Sequence, residues 1–401
     1  GTAGFFLWFA QSLIALSRIG AEVFVAQKLG EKDEKGAGKF AVNAVQLNIF
    51  IALIYGLFLL VFRNQLIGFF KLGEDHVIDM AVTYLSYITA GILFGFVNPV
   101  FTGIFNGAGI SKVPFMINAV GLVTNILLDP VLIFGIGPFP KLGVICAALA
   151  AIFAQLLVTV IFIIVMMRHS ETYFRINIFQ RPNFYNIRSI VKLGFPVAIQ
   201  SGIFSIIGMI LGRIIAAYGS TAIAVQKVGS QIESISWMTA GGFSTALSAF
   251  VGQNFGAKKY DRVVKGYKVG LFTVSMIGLF ATILLVFFPE PLFRVFIPED
   301  EAIALGVVYL QILGLSQWFM TLEISTQGAF NGLGRTLIPS AVGIIFNALR
   351  IPTAYYLSIY TELKLNGIWW SISISSVFKG IVLVLLFYLL VIRKYNKYGT
   401  L

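Results

Sequence analysis

Phe105-Asn106-Gly107-Ala108-Gly109 returns as Phe330-Asn331-Gly332-Leu333-Gly334, 225 residues later. A proline follows each copy, at Pro114 and Pro339. Further out, Val25-Ala26-Gln27-Lys28-Leu29-Gly30 matches Val251-Gly252-Gln253-Asn254-Phe255-Gly256 at an offset of 226. Asn125 with Pro130 matches Asn347 with Pro352 at 222, and Leu142-Gly143-Val144 resembles Asn366-Gly367-Ile368 at 224. One such match carries little. Four in the same order at a nearly constant offset describe two homologous halves.

Composition says where those halves fold. Of 401 residues, 58% are hydrophobic and 11% charged, with mean hydropathy +0.89. Soluble domains run at about 45–50% apolar and about 25% charged. The chain therefore reads as an integral membrane protein, and a soluble enzyme, a disordered chain and a nucleic-acid-binding domain are excluded as classes. Cys146 is the only cysteine, which excludes a disulfide scaffold. The chain opens at Gly1 with no basic n-region, so no signal peptide is read.

About eleven stretches are long and apolar enough to span a bilayer: 4–27, 38–62, 77–105, 113–136, 142–167, 190–218, 222–252, 266–289, 302–330, 336–359 and 366–392. The helix at 190–218 opens the second half and has no counterpart ahead of residue 1. The expected fold is all-α and integral to the membrane. It comprises two pseudo-symmetric six-helix bundles, with eleven helices present of an inferred twelve and the first one missing. The expected domains are 1–168 (helices 2–6), an interfacial linker at 169–189, a bundle at 190–392 (helices 7–12) and a tail at 393–401.

Loop charge sets the orientation. Lys and Arg gather in alternate connections: Lys28, Lys32, Lys35 and Lys39; Lys112; the 168–192 segment; Lys258, Lys259, Arg262, Lys265 and Lys268; Arg335; and Arg393, Lys394 and Lys397. The opposite connections hold only Arg63, Lys71, Lys141, Arg294 and Lys364. The positive-inside rule puts the rich set, and with it the C-terminus, in the cytoplasm of a multi-pass protein of the cell (inner or plasma) membrane. Arg168, Arg175, Arg181 and Arg188, interleaved with Phe and Tyr, make the linker an interfacial segment on an anionic membrane face.

Ionisable groups at mid-membrane cost on the order of 2.5–3.5 kcal/mol on insertion scales, so each asks for an account. Asp129 sits in Thr124-Asn125-Ile126-Leu127-Leu128-Asp129-Pro130. Asn125 lies four residues earlier on the same helix face, and Pro130 frees a carbonyl near Ile126. A carboxylate, an amide and a free carbonyl suit a proton or a small hard cation such as sodium. Asn98 and Glu323 occupy equivalent repeat positions, as do Thr102 and Gln327, which makes them candidates to line a cavity. Glu233 and Gln200 are further cavity candidates. Arg18 with Glu22, and Arg350, read as members of structural charge pairs. Arg213 and Lys379 have no assignment. Glycines 107, 109, 241, 242, 332 and 334 read as close-packing or turn residues. No metal-ligand pair, phosphate loop or catalytic constellation is present in the sequence, so neither an enzyme nor a cofactor is expected.

The repeated V-x-Q-x-x-G and F-N-G-x-G-x-x-x-x-P motifs resemble those of the multidrug and toxic compound extrusion (MATE) transporters. Asn125-x-x-x-Asp129-Pro130 is similar to the fifth-helix motif of the branch typified by the DNA-damage-inducible F type. Gly242-Phe243 leading to Val251-Gly252-Gln253-Asn254-Phe255-Gly256-Ala257 resembles the family's eighth-helix signature. The resemblance implies a two-lobed antiporter that exports organic cations or other xenobiotics, takes in protons or sodium ions, and rocks between outward-open and inward-open states. It places the first lobe's coupling site at Asn125 and Asp129. The family's first-helix acid has no counterpart here. A sixth-helix Thr is also lacking, the run reading Cys146-Ala147-Ala148-Leu149-Ala150-Ala151. The expected partners are an amphipathic or cationic small molecule, the coupling ion and the lipid bilayer, with no nucleic acid and a monomeric chain. A lipid-linked oligosaccharide flippase of the same wider superfamily is the alternative, kept open by Arg18, Arg213, Arg350 and Lys379.

Overall fold

A computed structural model describes residues 3–68, 75–135 and 144–400. Lys71, Lys141 and the Leu142-Gly143 repeat lie outside them. Among the described residues the chain is helical and has no strand. The helices are α1 (Ala3–Gly30), α2 (Glu34–Gly68), α3 (Asp75–Ala90), α4 (Ile92–Gly107), α5 (Lys112–Phe134), α6 (Val144–Arg168) and α7 (Phe184–Ala216). They continue with α8 (Ser220–Gly256), α9 (Tyr260–Phe287), α10 (Pro289–Arg294), α11 (Asp300–Gly332), α12 (Leu337–Ile359), α13 (Leu365–Phe387) and α14 (Arg393–Tyr398). Nine are long and apolar enough to cross a membrane, and a tenth span arises if α3 and α4 count as one. The remaining predicted stretch, 222–252, forms the 37-residue α8, whose Ser, Gln, Lys and Glu residues lower its hydropathy. Outward faces carry Phe50, Leu57, Leu122, Leu127, Phe272 and Phe280, each more than 60% exposed. In water that surface would drive aggregation; in a bilayer it faces lipid. This is a multi-pass membrane protein.

The predicted helix at 77–105 is broken. Gly91 separates α3 from α4, and the two axes differ by 49°. The Gly91 N–H bonds to the Ile88 carbonyl, one residue tighter than an α-helical bond. A Cβ there would stand 2.5 Å from Ile152 of α6, so only glycine lets the chain pass at this bend.

The chain divides into two compact units, Gly1–Ala198 and Ile199–Leu401. The sequence reading starts the second half at residue 190, whereas this division falls inside α7. Leu193 and Val197 pack with Ala15, Ile19 and Val23 of α1, while Ile207, Leu211 and Ile215 pack with Ala222, Val225 and Leu310.

Repeat positions behave alike within each unit. In the first, a Cβ on Gly103 or Gly107 of α4 would stand 2.9 Å from the Arg18 carbonyl or 2.4 Å from the Glu22 carbonyl of α1. In the second, Gly328 and Gly332 of α11 meet the Ser244 and Ser248 carbonyls of α8 in the same way, at 2.1 and 2.4 Å. These glycines let the helix backbones touch. Gly109 and Gly334 close the α4 and α11 ends in the left-handed region, at φ 81° and 72°. The next N–H, from Ile110 or Arg335, returns to the Phe105 or Phe330 carbonyl and completes the terminal cap. Gly241 and Gly242, by contrast, face open space and neither pack closely nor turn the chain.

The linker after α6 is fastened to the first unit. Tyr173 and Phe174 are buried in its core, and Phe174 stacks on Phe105 at 4.4 Å. Gln46 of α2 donates to the carbonyls of Ile178 and Gln180 at 2.8 and 2.6 Å. Its four arginines stay exposed, with Phe179, Phe184 and Tyr185 standing out beside them.

Candidate functional site

The first unit has an open cleft of about 480 Å³ between α1, α3, α4, α5 and α6. Its polar lining is Gln11 and Arg18 of α1, Asn98 and Thr102 of α4, Asn118 of α5 and Gln155 of α6; its walls are otherwise mainly apolar. Volume and lining suit a drug-sized molecule held by a few polar groups. Pro99, one residue after Asn98, lies inside α4 and cannot donate to that helix's ladder.

These polar groups tie one another. The Asn98 amide donates to the Gln155 backbone carbonyl at 2.9 Å and to its Oε1 at 2.7 Å. Thr159 Oγ1 donates to Asn98 Oδ1 at 2.8 Å, and Asn118 donates to Thr102 Oγ1 at 3.3 Å. Asn118, Asn125 and Asp129 recur at helical spacing on one face of α5. Asn125 and Asp129 are half-buried. Asp129 Oδ1 is buried with no hydrogen-bond partner. A carboxylate oxygen so placed has capacity to accept a proton or an ion.

The second unit contains two polar clusters. In one, both Glu233 oxygens are engaged: Tyr309 Oη donates at 2.5 Å and Gln317 Nε2 at 2.8 Å. The chain of bonds continues from Ser236 to Gln317 Oε1 at 2.5 Å, and from Trp369 to Gln226 Oε1 at 3.0 Å. In the other, Lys379 Nζ lies 3.0 Å from Glu323 Oε1, each side chain only 7% exposed. Arg350 donates from Nε to Ser375 at 2.5 Å and from Nη2 to Ser376 at 3.1 Å, with its guanidinium 5.9 Å over the Phe204 ring.

A family model for MatE matches residues 2–131 and 196–356, more than half of the chain. The chain is a MATE family transporter. This MATE chain is 30% identical over 383 residues to "Probable multidrug resistance protein NorM" of Thermotoga maritima, covering 95% of itself and 82% of that relative. It is 26% identical over 383 residues to the protein of the same name from Bacillus cereus, covering 93% and 82%. The solved structure "Crystal structure of MATE in the bent conformation" superposes with a TM-score of 0.90 at 21% identity, over 100% of this chain and 89% of that one. Membership makes it a transporter and not an enzyme.

Not every expected site residue of the MATE chain reaches a cavity. Asn98 and Thr102 line the first-unit cavity. Glu323 pairs with Lys379, and Glu233 is enclosed by its donors. Gln327 donates to Gln200 Oε1 at 3.2 Å, and Gln200 fills the space left by the missing side chain of Gly343. Arg18 and Glu22 approach to 3.9 Å. Arg350, expected in a charge pair, has no carboxylate within ion-pair distance among the described residues: its Nε and Nη2 donate to two serine hydroxyls of α13, and Glu323, whose charge still acts on it, is paired with Lys379. Arg213 is exposed at the end of α7.

Sequence reasoning missed Gln11, Asn118, Gln155, Tyr309 and Gln317, because it weighed charges before amides and hydroxyls. The repeat carried a signal for one of them: Gln155 precedes Lys379 by 224 residues, so it is the counterpart of a buried cation.

Proposed function

We propose that the chain is a multidrug efflux antiporter that exports amphipathic, including cationic, xenobiotics in exchange for protons or sodium ions by alternating access. The observation that carries the coupling part is the half-buried Asp129, which has one enclosed, unpartnered oxygen on the α5 face that also sends Asn118 into the first-unit cavity. Substrate uses the cavity, and the ion uses Asn125 and Asp129. Neutralising Asp129 removes the cost of a bare carboxylate in the membrane, and so favours whichever state buries it more deeply. The names of the relatives support the drug-export part.

A lipid flippase needs an open basic patch for phosphate. Lys379 is neutralised by Glu323, Arg350 is bonded to serines and Arg18 lies 3.9 Å from Glu22. Among the described residues this leaves Arg213, exposed at the end of α7, as the one cation of the four without such a tie, and favours the exporter.

The test is transport by the full-length protein in vesicles, followed with a fluorescent organic cation, under a sodium or a pH gradient imposed separately. One gradient drives uptake, and Gln155→Leu, which removes an amide from the cavity, lowers the flux several-fold. Flux indifferent to both gradients overturns the antiporter reading; flux unchanged in Gln155→Leu overturns the cavity assignment.

A further inference from the structure

The two halves make the same tie in different chemistry. In the first unit, α4 and α6 are joined by two neutral amides, Asn98 and Gln155. Glu323 follows Asn98 by 225 residues and Lys379 follows Gln155 by 224, so the repeat-related tie between α11 and α13 is an ion pair at 3.0 Å. The exchange is a paired one: an acid appears where a cation appears opposite.

The surroundings fix that cation in place. Gly380, the residue after Lys379, packs so tightly that a Cβ would stand 2.4 Å from the Phe319 carbonyl, one turn before Glu323 on α11. The lysine is thus held at short range by backbone contact. The other nearby cation, Arg350, is held by Ser375 and Ser376, on the same stretch of α13 just before Lys379. Glu323 Oε2 is buried with no hydrogen-bond partner, so the carboxylate retains capacity for a further cation or donor. An acid this enclosed in a membrane protein must be neutralised, by a proton, a mobile ion or a fixed charge.

We propose that Glu323 is the cation site of the second unit and that its permanent occupant is the chain's own Lys379 ammonium. The second unit carries a tethered cation where a coupling carboxylate would take a mobile one. Coupling to an external ion is then confined to the first unit, and the α11–α13 contact stays locked through the cycle.

The test removes the tether and offers a free one. Full-length protein with Asp129→Asn, which silences the first-unit candidate, is compared with the same protein also carrying Lys379→Ala. Thermal denaturation in detergent is read in methylammonium, ammonium, sodium or choline chloride at equal ionic strength. Lys379→Ala is destabilised and regains about 3 °C or more in methylammonium or ammonium relative to choline, an increment a weakly bound cation supplies. The protein with Lys379 intact shows no such difference. Adding Glu323→Gln to Lys379→Ala abolishes the rescue. Lys379→Met, which keeps the helix-facing volume, gives the same pattern if the alanine variant fails to fold. A Lys379 variant that folds but gains nothing from small cations overturns the proposal and leaves the pair a packing contact. Rescue that persists in the Glu323→Gln double variant overturns it as well.

Discussion

Tyr309→Phe isolates one hydrogen bond. Tyr309 Oη donates to Glu233 Oε1 at 2.5 Å, and its ring meets Trp369 edge-on at 5.1 Å between centroids. Phenylalanine keeps the ring and that contact, and removes the hydroxyl alone. Gln317 Nε2 still serves Oε2, so one oxygen of a fully enclosed acid loses its donor. A hydrogen bond contributes about 0.5–1.5 kcal/mol net, and leaving an enclosed acceptor without its donor costs about 1–3 kcal/mol. At about 2–4 °C per kcal/mol for a unit of this size, melting falls by about 2–12 °C. Glu233→Gln costs less, since an amide oxygen still accepts from Tyr309 and Gln317 can turn its own amide to match. In the double variant the two losses are not additive, because both act on the same bond. The assay is thermal denaturation of the four proteins in one detergent. Tyr309→Phe melting within about 1 °C of the parent refutes the reasoning, since it means the bond adds nothing that water or a neighbour does not replace.

Other outcomes follow from contacts already described. Gly107→Ala and Gly332→Ala each push a methyl group into a carbonyl of the facing helix, and each lowers stability by about 1–3 kcal/mol. Gly241→Ala, made in open space, is neutral or gains up to about 1 kcal/mol; thermal shifts that rank the three differently contradict the helix-crossing account. Gln46→Ala removes both bonds that pin Ile178 and Gln180, about 2 kcal/mol together, so tryptic cleavage at the exposed Arg175 speeds up by about tenfold or more. An unchanged cleavage rate means that Tyr173 and Phe174 alone hold the linker.

How legible this was depended on the kind of signal. The repeat announced the matched helix crossings, because Gly107 and Gly332 and the turn glycines Gly109 and Gly334 each need a missing side chain or a left-handed backbone at one fixed register. Apolar stretches announced the spans, but not the break at Gly91, which depends on Ile152 arriving from α6. Charge announced Glu323 and Lys379 as residues in need of partners. It did not join them, since the pairing of α11 with α13 is tertiary. Arg350 is a related case: a buried guanidinium suggests a carboxylate, and the two serine hydroxyls that its Nε and Nη2 reach on α13 are invisible until that helix is placed. Asn98 was found only through its charged repeat partner Glu323; the other amides of the first-unit cavity, Gln11, Asn118 and Gln155, went unnoticed because neutral polar residues cost little to leave unexplained.

The central claim is that Asp129 couples an ion to export. The most direct measurement compares uphill with downhill transport by full-length parent protein and Asp129→Asn in sealed vesicles, using one fluorescent substrate. The parent accumulates substrate against its own gradient when the driving ion gradient is imposed. Asp129→Asn is expected to lose that accumulation while still letting substrate run down its gradient, because the cavity of Asn98, Asn118 and Gln155 is untouched. Accumulation by Asp129→Asn at the parent's level contradicts the account and moves the coupling elsewhere in the chain.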